Sequence, residues 1–129
     1  MTTELWLLVW SAALTVVVMA ISATGAYQQV GLAALAGNRD KLPEITGWAG
    51  RATRAHRNLL ENLVLFAILV LTAKMANVSD GMTVVGSHLF FWGRVAHAGL
   101  YIAGIEWVRT GAFAVSVIGL LLIFLQLVV

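Results

Sequence analysis

No charged residue occurs between Leu5 and Ala26, and the polar residues in that stretch are small: Ser11, Thr15, Ser22 and Thr24. As a helix, an interval of this length covers a hydrocarbon layer about 30 Å thick, and small hydroxyls can bond back to the helix backbone. The rest of the chain shares this character. Of its 129 residues 60% are hydrophobic and 11% charged, and the mean hydropathy is +0.91. A soluble domain carries nearer 25% charged residues. Eight Lys and Arg with six Asp and Glu are too few to clothe a water-soluble surface of this size, so a soluble enzyme and a disordered chain are both excluded.

Three further stretches of spanning length follow, and the spans read as about residues 5–27, 48–76, 81–105 and 109–129. Loop chemistry separates them. Gly37 to Glu44 holds the only proline and four charges, which makes the first loop, about residues 28–47, the longest and most hydrated. Asn77-Val78-Ser79-Asp80 reads as a short turn in which Ser79 or Asp80 caps the third helix. Ile105-Glu106-Trp107 is a tight joint with an interfacial aromatic. Short connections place consecutive helices antiparallel. The expected fold is all-α: one integral membrane domain over residues 1–129, an up-down antiparallel four-helix bundle.

Arg39, Lys41, Arg51, Arg54, Arg57, Arg94 and Arg109 lie toward one face of such a bundle and only Lys74 toward the other. By the positive-inside rule the first loop is cytoplasmic and both termini lie on the opposite face. The start, Met1-Thr2-Thr3-Glu4, has no basic segment and reads as an uncleaved first span. A net charge of +2, unevenly spread, does not suggest nucleic-acid binding. The chain has no cysteine, so any thiol chemistry comes from a ligand.

Ionisable residues inside a span cost about 2.5–3.5 kcal/mol each at the helix centre, so they are rare unless paired or working. The second and third spans carry several. At about 100° per residue, with Arg51 at zero, Arg54 falls at about 300°, Arg57 at 240°, Asn58 at 340° and Glu61 at 280°. On the third span Arg94, His97 and Tyr101 share an arc of about 60°. Two polar stripes on adjacent antiparallel helices can face one cavity. Other readings stand beside this one: Arg51 can snorkel to headgroups, and Glu61 can lock helices together through Arg54 or Arg57. His56 and His88 lie off the stripes. Phe90-Phe91-Trp92 and Trp6 with Trp10 read as lipid-facing or interfacial packing, and Lys74 and Asp80 as parts of a solvated turn. Guanidiniums, one carboxylate, one carboxamide, one phenol and one imidazole suit a small peptide-like anion with an ammonium group better than a metal.

Arg54-Ala55-His56-Arg57-Asn58-Leu59-Leu60-Glu61-Asn62 and Arg94-Val95-Ala96-His97-Ala98-Gly99-Leu100-Tyr101 resemble the second-helix and third-helix motifs of the MAPEG family, the membrane-associated proteins of eicosanoid and glutathione metabolism. The likeness extends over the whole chain and is nearest to small bacterial members. It implies a homotrimer in the bacterial inner membrane, with glutathione bound between subunits near the cytoplasmic face. Arg54, Arg57, Asn58 and Glu61, completed by Arg94, His97 and Tyr101, would hold the glutathione. Arg109, with Thr110 beside it, would hold its thiol as the thiolate, ready to attack a lipophilic electrophile or hydroperoxide. The chain departs from the family pattern in two places: Tyr27-Gln28-Gln29 stands where family enzymes often carry an arginine, and Val64 where many have proline.

The implied function is a glutathione-dependent transferase or peroxidase. The alternative is a non-catalytic member that binds lipid or an anionic metabolite, or serves as a structural membrane subunit. A small four-span multidrug transporter fits less well, because its membrane carboxylate would lie in the first span and stay unpaired.

Overall fold

The computed structural model describes all of residues 1–129. Four long helices, α1 (Thr3–Val30), α3 (Gly47–Met75), α4 (Gly81–Ala103) and α5 (Glu106–Val128), are joined by short connections and one single-turn helix, α2 (Leu32–Ala36). At about 1.5 Å per residue all four exceed the hydrocarbon thickness of a bilayer. α1 with its α2 extension, α3 and α5 are also apolar enough to cross it. α4 is as long as α5, but Thr83, Ser87, Arg94 and His97 interrupt its apolar character. All four of those side chains are buried, so α4 turns its polarity inward, as a helix surrounded by others can.

The order of packing explains this. α4 touches α1, α3 and α5, whereas α1 and α5 do not meet. α3 likewise touches the other three long helices, so the bundle is open between α1 and α5, with α3 and α4 at its centre. Small residues bring α5 close: a Cβ at Gly86 would lie 2.7 Å from the Gly119 carbonyl oxygen, and one at Gly119 would lie 2.7 Å from the Phe90 nitrogen. Close approach through small residues is the usual source of helix association where lipid removes the hydrophobic drive.

Two ends can be distinguished. The terminal end carries both chain termini and the Ala76–Asp80 turn; the loop end carries residues 37–46 and the α4–α5 joint. Toward the terminal end Leu7, Phe66, Val70, Phe90, Leu120 and Ile123 form the main apolar core, drawn from all four long helices. Toward the loop end only Val18, Leu59 and Ala98 cluster. Phe90 corrects the lipid-facing expectation for the aromatic run: it is fully buried and stacks on Phe66 at 4.1 Å between centroids. Trp92 is 60% exposed, as expected. Helical rotation separates the two, since residues two positions apart lie about 200° apart around the helix.

The first loop is shorter than expected, because α1 continues to Val30 and α2 follows. Gly31, at φ 81°, supplies the break between them, a conformation that favours glycine. The rest of the loop is tied down by the Gln29 carboxamide, which donates to the Thr46 carbonyl at 2.7 Å and accepts from the Thr46 N–H at 2.9 Å. Asp80 caps α4 in a reciprocal capping box with Thr83. Ser79, the other capping candidate, donates instead to the Glu4 carboxylate at 2.9 Å, and Thr83 donates to the same group.

Candidate functional site

Asn58 sits half-buried on the side of α3 that also buries Ala55 and Leu59. Its carboxamide is oriented by Asn62, whose Nδ2 donates to the Asn58 carbonyl at 2.9 Å and to its Oδ1 at 3.4 Å. That Oδ1 accepts a hydrogen bond from Arg94 Nη2, joining the polar stripes of α3 and α4.

Arg94 is the largest fully buried side chain in the protein, with 1% exposure. It is enclosed because Gly93 beside it admits α5: a Cβ there would lie 3.0 Å from the Ser116 nitrogen and 3.1 Å from the Ala112 carbonyl oxygen. The guanidinium lies 5.9 Å from the Phe113 ring centroid. Its Nε and Nη1 have no hydrogen-bond partner, nor does Nδ1 of buried His97. Unpartnered buried donors are costly and uncommon, and the free Nε and Nη1 lie on opposite sides of the guanidinium, each able to donate to a separate anionic acceptor.

His97 bridges outward from Arg94, 5.5 Å from the Tyr101 ring and 6.1 Å from that of Phe113. Beyond it the Arg109 guanidinium stacks on Tyr101 at 4.2 Å, a cation–π contact that holds the head near the α4–α5 joint. Arg51 adds a brace rather than snorkelling: its Nε donates to the Ile102 carbonyl at 2.9 Å, one of the carbonyls that a helix end leaves free.

The structure thus gathers Asn58, Arg94, His97, Tyr101 and Arg109 into one continuous tract. It sets Arg54, Arg57 and Glu61 apart, on the outer surface of α3. Thr110 is exposed and bonds back to the Glu106 carbonyl of its own helix at 3.4 Å, away from the tract. Sequence reasoning missed Phe113 and the bracing role of Arg51. Phe113 carries no polar signal, and the Arg51 contact is with a backbone atom 51 positions away. Glu4, buried at the terminal end, was missed as well; a glutamate in a first turn reads simply as a dipole partner.

Chemically, the tract offers one buried guanidinium, one stacked guanidinium, an amide, an imidazole and a phenol. Arg54, Arg57 and Glu61 are exposed on α3, and charges exposed within a span call for a ligand or another protein surface. A family model described as the MAPEG family matches residues 4–129. Comparison with curated proteins and with solved structures gives no match.

Proposed function

The chain belongs to the MAPEG family, a multi-pass membrane group associated with glutathione, and we propose that it is a glutathione-dependent transferase or peroxidase acting on lipophilic electrophiles or hydroperoxides. The observation that carries the reading is Arg94, fully buried, held by Asn58, and presenting two nitrogens, Nε and Nη1, whose N–H groups no protein atom accepts. The residues present fit the tripeptide: guanidinium forks suit its carboxylates, Glu61 its ammonium, and Asn58 and Tyr101 its amides. When bound, glutathione supplies the thiol that the protein itself lacks.

In this reading Arg94 and Arg54 or Arg57 orient the carboxylates. Arg109, kept in place by Tyr101, stabilises the sulfur after its proton leaves. Depressing a thiol pKa by two units requires about 2.7 kcal/mol of preference for the anion, within reach of one or two charge-assisted bonds. The bound thiolate would then displace a leaving group from an electrophilic carbon, or take the terminal oxygen of a hydroperoxide as the O–O bond breaks and the alcohol leaves. In the second case another glutathione thiol displaces water from the sulfenic acid to give the disulfide. Thr110, turned back along α5, would contribute only after a rotamer change.

The same proposal includes four spans, a cytoplasmic loop end, termini on the opposite face, and a homotrimer in the bacterial inner membrane. Outward-facing Arg54, Arg57 and Glu61 support the assembly, because a neighbouring subunit would shield them from lipid.

Calorimetric titration of the detergent-purified protein with glutathione, with ultraviolet absorbance of the thiolate followed in the same samples, tests the function. Saturable binding with a thiolate signal at neutral pH is expected. Binding without that signal would replace catalysis by simple anion binding, and no binding would leave a lipid-binding or structural member.

A further inference from the structure

A cavity of about 300 Å³ lies on the other side of α3, between that helix, α1 and the connection through α2 and the 37–46 loop. With Arg51 at zero, Thr53 falls at about 200° and His56 at about 140° around α3, well away from Asn58 and Glu61. The cavity is therefore independent of the tract above. Its lining is divided by chemistry. Met19 and Ala23 of α1 with Leu35, Leu42 and Ile45 of the connection supply an apolar wall. Arg39, His56, Ser22 and Thr53 supply the polar part, and no acidic residue lines it.

The cavity is also built rather than incidental. Its floor is fixed by a 3.0 Å hydrogen bond between the Ser22 and Thr53 hydroxyls. Its roof is held by the paired Gln29–Thr46 hydrogen bonds. Arg39 adopts φ 65°, a backbone conformation that costs a non-glycine residue energy, and its Nε donates to the Leu35 carbonyl at 2.8 Å. That bond anchors the side chain at the cavity while leaving its two terminal nitrogens for a ligand. The level is that of the membrane boundary, where α3 begins and where Trp48 is 41% exposed.

A permanent cation and hydroxyls beside an apolar wall, at the depth where headgroup meets acyl chain, match one chemical class. We infer that this cavity binds an anionic single-headed amphiphile, its phosphate or carboxylate against Arg39 and its first chain carbons against Met19 and Ala23. The anion can be the phosphate of a phospholipid, joined to its acyl chains through glycerol, or the carboxylate of a free fatty acid; both set an anion next to an acyl chain.

The test uses the full chain, stripped of lipid and held in neutral maltoside micelles. It is titrated calorimetrically with dodecyl phosphate, lauric acid, dodecanol and inorganic phosphate. Saturable binding of the dodecyl anions is expected, weakened at least about tenfold by Arg39→Gln, the loss of a charge-assisted bond, and abolished by Ala23→Phe, which fills the chain wall. Met19→Trp serves the same purpose should Ala23→Phe fail to fold. Tighter binding of dodecyl phosphate identifies a phospholipid-type ligand, and tighter binding of laurate a fatty acid. Equal affinity for dodecanol, equal affinity for inorganic phosphate, or affinities unchanged in the variants would each overturn the inference.

Discussion

The two ends of this bundle solve opposite problems with the same four helices. At the terminal end Phe66 stacks on Phe90 and glycines bring α4 and α5 into backbone contact, so the seam between those helices is close-packed. Even that end's one buried carboxylate, Glu4, is met by the Ser79 and Thr83 hydroxyls. At the loop end the buried polar groups are left incomplete: Arg94 keeps two free donors and His97 one free ring nitrogen. Stability resides where every group is satisfied, and binding capacity where some are not.

That contrast can be broken most directly at the terminal end. Phe66→Ala removes a fully buried ring from a cluster shared by four helices, and a loss of about 3–5 kcal/mol is expected, read as a fall in the thermal unfolding midpoint in detergent. Gly119→Leu tests the helix seam. Forcing a side chain against the Phe90 backbone should cost about 1–3 kcal/mol, whereas Gly99→Leu, where a Cβ meets nothing within 4 Å, should stay within about 0.5 kcal/mol. Equal effects at the two glycines would remove the close-approach argument.

At the loop end the sign of the expectation changes. Glu61→Gln should weaken glutathione binding by about 1–3 kcal/mol while the oligomer stays folded; loss of the oligomer with residual binding intact would assign Glu61 to subunit contact instead. Among the loop-end variants a small effect on stability is expected from Arg94→Met. Replacing a buried charge that lacks full partners by an apolar chain of similar length should leave the unfolding midpoint within about 1 kcal/mol of the parent, or raise it, while glutathione binding is lost. A large destabilisation would show that Arg94 is a structural keystone and would erase the distinction between the ends.

Much of this was legible before any coordinates. The positions of the long helices follow from the spacing of charges, with ends differing by a few residues. The α4 cap was anticipated at Ser79 or Asp80, and the stripe of Arg94, His97 and Tyr101 holds together in space. The stripe on α3 does not: Asn58 turns inward while Arg54, Arg57 and Glu61 face out. Phe90 likewise departs from its neighbour Trp92, and the buried role of Glu4 depends on a turn that begins more than 70 positions away.

The sequence by itself determined which segments are helical, which of them suit a bilayer, and which carry ionisable groups that a bilayer tolerates only for a reason. These are local matters of hydropathy, backbone satisfaction and charge, settled within one turn or one span. Only the tertiary structure decided which arc of each helix faces a neighbour. Helical periodicity fixes the angles between residues on one helix but not the rotation of that helix against the next. That rotation comes from packing, here from glycines that let α5 approach α4 and from the rings that fill the space between α3 and α4.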